Sequence, residues 1–153
     1  ISLLNEVGFP IRPSASPVTR VCLSGDEHSA TFLIKHACLL NHQNTVRRES
    51  PMHLLSSLNP SELSPDVLDG MCRVAQLMLE HKADANQKDA QGNTCLHRAI
   101  LADNMNVFRE LLKANNLSLN ERNMDDHVSL WLALQQAERK SESCAACNYA
   151  YNV

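Results

Sequence analysis

The chain has 153 residues, a formal charge of −3, 44% apolar residues and only 4% aromatic ones. That length holds one compact domain or a few stacked units, and the charge excludes a broad cationic surface for nucleic acid. The longest apolar run is the five residues from Leu130 to Leu134, far short of the ~20 that a membrane helix needs.

In chain order, residues 1–15, with Leu3, Leu4 and Gly8, read as the end of a preceding helical unit. Ser16-Pro17-Val18-Thr19 reads as a helix start, because a Ser or Thr cap satisfies an orphan N–H and Pro after it has its φ preset. Ala30, Leu33 and Ile34 then fall at i, i+3, i+4, the apolar face of a second helix. Ser50-Pro51-Met52-His53-Leu54 repeats the helix start, and Ser56 to Pro65, rich in Ser and Pro, reads as an exposed inserted loop. Leu68, Met71 and Cys72, continuing to Ala75 and Leu79, form the next apolar face. Asp89-Ala90-Gln91-Gly92-Asn93-Thr94 is a tight turn with Gly92 at positive φ, and it leads into Cys95-Leu96-His97-Arg98-Ala99. Val107, Phe108, Leu111 and Leu112 are the third face. Val128-Ser129-Leu130-Trp131-Leu132-Ala133 opens a fourth start without its cap, since Val128 stands where the hydroxyl belongs and Asp126 where the turn Gly belongs. Ser129 is a substitute cap one residue later. Residues 141–153 have no repeat counterpart and are expected to be disordered.

The four starts lie at 16, 50, 94 and 128, spaced by 34, 44 and 34 residues. A period near 33 with a T-P-L-H-like element is the mark of ankyrin repeats, and the long middle interval holds an insertion of about ten residues. Over roughly residues 16–136 the chain resembles the ankyrin-repeat family. More narrowly, Gly25-Asp26, Ala30 to Lys35, Pro51 to Leu54 and Ser129 to Leu134 resemble the rabankyrin family of endosomal adaptors, which combine BTB, ankyrin-repeat and FYVE parts. The expected fold is an all-α solenoid of helix-turn-helix units with short hairpin loops. The units are 16–49, 50–93 with its inserted loop, 94–127, and a first helix at 128–140.

The resemblance implies a protein-binding scaffold, not an enzyme, without a cofactor, cytoplasmic and peripheral to early endosomes as part of a longer protein. Its implied partners are proteins, an early-endosomal Rab GTPase and trafficking factors among them. The FYVE finger that binds lipid in that family has no counterpart here. Hairpin tips and the concave face of the first helices bind partners in ankyrin arrays. That implies Asp89, Gln91, Asn93, Asn123, Met124 and Asp125 at the tips, with Arg98, Leu101, Asn104, Trp131 and Gln135 on the concave side. Trp131 replaces the usual His, and both a buried role and a partner contact remain open for it. The glycine that normally follows the second helix is Ala37, Lys82 and Asn115 in this chain, so left-handed φ without glycine is expected there, at a cost of about 1 kcal/mol each. An Asn placed like Asn86 is a hydroxylation site in some family members.

Other chemistry finds less support. His53 and His97 read as satisfied structural histidines, and Asp125-Asp126-His127 as a solvated turn. Cys144 and Cys147 have C-x-x-C spacing without the second pair of a zinc ribbon or the strand of a redox motif. The scattered Cys22, Cys38, Cys72 and Cys95 suit a reducing compartment. Two other readings stay open: a structural spacer, and a metal- or redox-responsive protein using Cys144 and Cys147.

Overall fold

The computed structural model describes residues 26–37 and 40–150, with backbone alone for Ala37 and residues 142–150. The expectations for residues 1–15 and for the cap at Ser16 lie outside the described residues. Among the described residues six helices follow one another. They are α1 (Glu27–Ala37), α2 (Pro51–Ser56), α3 (Pro65–Glu80), α4 (Cys95–Leu101), α5 (Met105–Leu112) and α6 (Ser129–Ala150). A 3-10 turn, Pro60–Glu62, sits in the inserted loop. Among the described residues there is no strand, only an isolated bridge between Arg122 and Val128.

The helices form two layers. First helices α2, α4 and α6 stack in one, and second helices α1, α3 and α5 in the other. The core lies between the layers and is built from Met52, Leu55, Met71, Val74, Ala75, Met78, Leu96, Ile100, Val107 and Leu111, all buried. None of these helices buries its apolar face alone, which is why the units stack. The face of α3 is rotated from its sequence reading: Val74 and Met78 are buried, whereas Leu68, Cys72 and Leu79 are only half-buried.

Local chemistry sets the helix ends. Ser50 and Thr94 stand at N-cap with extended backbone, and Pro51 follows Ser50 as the first helical residue. Asn104 caps α5 by accepting from Val107 N at 3.2 Å. Lys82, at φ 65, ends α3 in the left-handed conformation without glycine, as expected. Asn115 is not left-handed, because α5 stops at Leu112 and is closed by Lys113. Ala37 is the last residue of α1. Asp103 takes φ 56 in the short turn between α4 and α5. The middle unit absorbs its extra residues twice over, in the loop from 57 to 64 and in α3, which has 16 residues against 8 in α5.

The fourth unit departs most. Ser129 does not cap; it is the first residue of α6, and its hydroxyl donates to Leu119 O at 3.2 Å. The helix then runs for 22 residues to Ala150, through the stretch expected to be disordered from 141. No Gly or Pro occurs between Ser129 and Ala150, and the turn made by Ala102 and Asp103 in the preceding unit has no counterpart. Two contacts hold α6 to that turn: Gln136 donates to Leu101 O at 3.2 Å, and Lys140 pairs with Asp103 at 2.7 Å.

Candidate interaction surface

The hairpins between units are stitched to one another. Ala90 N donates to Arg47 O at 2.8 Å, and Met124 N donates to Gln91 O at 3.0 Å. Each turn is closed from inside by an Asn or Asp. Asp89 accepts from Gln91 N at 2.8 Å and Asn93 N at 2.9 Å. Asn123 accepts from Asp125 N at 3.1 Å and His127 N at 2.9 Å. Asn44 accepts from Arg47 N at 2.9 Å. The left-handed corner is Arg48, Gly92 and Asp126 in turn, at φ 53, 73 and 61.

This geometry divides the residues proposed from sequence. Asp89 is buried, and its carboxylate also takes Arg98 Nε at 2.6 Å. Arg98 reaches on to buried Glu49 at 3.6 Å, so its guanidinium binds two hairpins of this chain together. Asn93 is buried and accepts from Asn123 Nδ2 at 3.1 Å. Asn104 is buried too; beyond capping α5 it donates to Leu55 O at 3.3 Å and Leu58 O at 3.1 Å. Asp89, Asn93, Arg98 and Asn104 are therefore internal fasteners, since a buried polar group must find its partners within the fold, and Asn123 is largely spent the same way. Gln91, Leu101, Met124, Asp125 and Trp131 are exposed, and Gln135 is half-buried.

The exposed residues follow the repeat. Val46, Ala90 and Met124 take equivalent places in successive turns, all exposed, with Val46 and Met124 at 75% and 77%. Beside them stand Arg47, Gln91 and Asp125, also exposed. Sequence reading missed Val46, although its distance before Ser50 matches that of Ala90 before Thr94. The tips thus present a small apolar row with a polar row that changes from cationic to anionic along the stack.

Trp131 is exposed, at 50%, with its ring centroid 5.9 Å from that of His127. Its counterparts His53 and His97 are buried. His53 Nδ1 accepts from Ser50 N at 3.2 Å and lies 2.8 Å from Ser50 Oγ, while Nε2 lies 3.1 Å from Asn93 O. His97 repeats this with Thr94 and with His127 O at 3.1 Å. A carbonyl can only accept, so Nε2 carries the proton in both. Burial lowers the pKa of each, opposed by the carbonyl that Nε2 faces. Burial likewise raises that of the Cys95 thiol, which leaves it an inert hydrophobe.

Asp126 pairs with Arg122 at 2.7 Å on an exposed turn, as a solvated hairpin would have it. Among the described residues no group of three His, Cys, Asp or Glu could hold a metal, and no helix is long and apolar enough to cross a membrane. The side chains of Cys144 and Cys147 lie outside the described residues. Asn86 donates to Asn116 O at 2.6 Å and accepts from Ser118 N at 2.8 Å, tying one unit to the next.

Comparison with known proteins agrees with the architecture. The family model for ankyrin repeats (many copies) matches residues 67–123. Rabankyrin-5 of Mus musculus is 37% identical over 111 residues, which cover 72% of this chain and 10% of that protein. Rabankyrin-5 of Homo sapiens is 35% identical over 118 residues, covering 77% of this chain and 10% of the relative. A neurogenic locus notch homolog protein 1 of Danio rerio is 32% identical over 107 residues, 70% of this chain and 4% of its own length. The chain spans about a tenth of the length of the Rabankyrin-5 proteins it matches. With its stacked two-helix units, helix starts capped by Ser50 and Thr94 and stitched hairpins, the chain belongs to the ankyrin-repeat family and is similar to Rabankyrin-5.

Proposed function

We propose that this chain is a protein-binding segment of an endosomal trafficking adaptor of the Rabankyrin-5 type, acting on the cytoplasmic side of early endosomes. The observation that carries the binding role is the exposed tip row of Val46, Ala90 and Met124 with Arg47, Gln91 and Asp125 beside it. Those side chains are held in line by the hairpin ladder, while Asp89, Asn93 and Arg98 are consumed inside the fold. A preordered surface loses little side-chain and loop entropy on binding. The likeness to Rabankyrin-5 supports the choice of partner class, an early-endosomal Rab GTPase or a factor that works with one.

The test is affinity capture from a membrane-trafficking extract by the full chain, beside a Val46→Asp, Met124→Asp double variant. Both changes fall on exposed side chains and are expected to leave helicity, read by circular dichroism, unchanged. The reading expects an endosomal Rab or a trafficking factor on the parent chain and at least a tenfold loss on the variant. Equal capture by the two chains would point to a structural spacer.

A further inference from the structure

The chain holds three Ser-Pro dipeptides, at Ser16, Ser50 and Ser64. Ser16 lies outside the described residues, and the other two stand in opposite surroundings. Ser50 is 1% exposed, its Oγ lies 2.8 Å from His53 Nδ1, and Pro51 is buried too. Ser64 and Pro65 are exposed, and the Ser64 hydroxyl makes no cap bond to α3. The serines at the head of the same loop are spent inside the fold: Ser56 Oγ donates to Met52 O at 2.8 Å, and Ser57 Oγ to His53 O at 2.7 Å. Ser61 is exposed, but Glu62 follows it. Leu63 and Ser64 are both extended, with ψ 145 and 153. The loop itself is anchored, since Leu58 and Leu63 pack against the core and Asn104 Nδ2 donates to Leu58 O at 3.1 Å. Ser64 is thus a free hydroxyl on extended backbone, presented on a fixed mount.

We propose that Ser64 is a phosphorylation site for a proline-directed protein kinase. Such an enzyme takes a free hydroxyl on extended chain with proline next to it. Its missing N–H and preset φ set Pro65 apart from the residues that follow the other serines of this loop. Charge excludes a kinase that reads basic residues, because no Lys or Arg lies between Arg48 and Arg73. To extend the chain beyond Pro65 the first turn of α3 must open. Ser64 gives that turn no side-chain cap, and Pro65 and Asp66 are exposed, so the opening costs little. In the transfer, Ser64 Oγ attacks the γ-phosphorus of kinase-bound ATP, and the bond to the β,γ-bridging oxygen breaks. ADP leaves, and the hydroxyl proton passes to the catalytic carboxylate of the kinase. The product carries about two negative charges on a loop where Glu62 and Asp66 are also exposed. Helix α2 starts at the Ser50 cap and ends at Ser57, so the phosphate stands at the far end of α2 from Val46 and Arg47. The modification changes the charge of the loop and leaves the hairpin tips as they are.

The experiment incubates the full chain with a mitogen-activated protein kinase and Mg-ATP, and maps phosphate over time by tandem mass spectrometry. Phosphate is expected at Ser64, with Ser50 modified at least tenfold more slowly, because its hydroxyl is reached only when the unit opens. Pro65→Ala keeps the serine and the helix, the latter checked by circular dichroism, and is expected to slow modification of Ser64 at least tenfold. A cAMP-dependent-type kinase, which reads upstream arginines, is expected to leave Ser64 unmodified. Arg98→Ala, a less stable chain, is expected to leave the Ser64 rate unchanged. Absence of phosphate from Ser64 overturns the proposal, as do equal rates at Ser64 and Ser50 or an unchanged rate in Pro65→Ala. Modification of Ser64 by both kinases at one rate overturns its proline-directed character. Equal acceleration of both serines in Arg98→Ala also overturns it, by making the unfolded chain the substrate.

Discussion

His53 and His97 each join a helix start to the hairpin of the next unit, and their protonation state is part of that joint. Burial holds both pKa values below the ordinary 6.5. The folded chain therefore binds fewer protons than the unfolded chain in the histidine range. Stability is fully present above about pH 6.5 and is lost as pH falls through the lowered folded values. The urea midpoint is expected to be level from about pH 8 to about pH 7, then to fall toward about pH 5, above the usual carboxylate range. A His97→Gln variant should show a shallower fall; a midpoint that is level to pH 5 in the parent chain contradicts this account. Arg98 presents a different case. It stands between the carboxylates of Asp89 and Glu49, both buried. Arg98→Ala leaves the buried Asp89 carboxylate without its guanidinium partner, and a loss of about 3 kcal/mol in urea unfolding is expected. If the variant kept its stability but lost a captured partner, Arg98 would be a binding residue after all.

At the scale of the hairpin, the second turn depends on glycine while the other two do not. Gly92 closes a tight turn, its N–H donating to Asp89 O, and the third hairpin lies against its α-carbon. Arg48 escapes because the first turn is one residue wider, closing from Arg48 N to Asn44 O. Asp126 escapes because no hairpin among the described residues lies on it. Gly92→Ala combines left-handed strain with a backbone clash, and a loss of about 2 kcal/mol is expected. An equal loss from alanine at Asp126 would mean that strain alone is at work and that the close approach is irrelevant. The same contrast explains what the sequence could disclose. Helix starts were legible at Ser50 and Thr94 because a cap, its neighbours and the hairpin glycine are local. The break at Val128 was legible for the same reason, and so was the left-handed Lys82. The fates of Asp89, Asn93, Arg98 and Asn104 were not, because each is decided by a group in another unit: Glu49 for Arg98, Asn123 for Asn93, Leu55 and Leu58 for Asn104. A hairpin-tip position predicts exposure on average, but here the turn's closing residue faces inward. The length of α6 follows from the lack of Gly and Pro after Ser129, a local signal that outweighs the absence of a repeat counterpart from 141, on which the expectation of disorder rests.

Across the whole molecule, stability accumulates between neighbours, as in any stack whose units bury their faces only against each other. Helix α4 is packed by α2 on one side and α6 on the other, and α3 by α1 and α5. Helix α6 is packed from one side, with Leu130, Trp131 and Leu134 open to solvent. Local opening follows how much packing each element has to lose. Amide hydrogen exchange is therefore expected to be slowest in α3 and α4 and faster in α6, which the pair of Lys140 with Asp103 joins to the preceding unit. That pair is exposed on both sides, so it contributes less than ~1 kcal/mol. Lys140→Ala should accordingly speed exchange in α6 by a few-fold and leave α3 unaffected. Protection in α6 equal to that in α4 would mean that its outer face is already covered in solution by another copy of the chain. Protection lost evenly over every helix in the variant would mean that the stack opens as one unit, with no gradient along it.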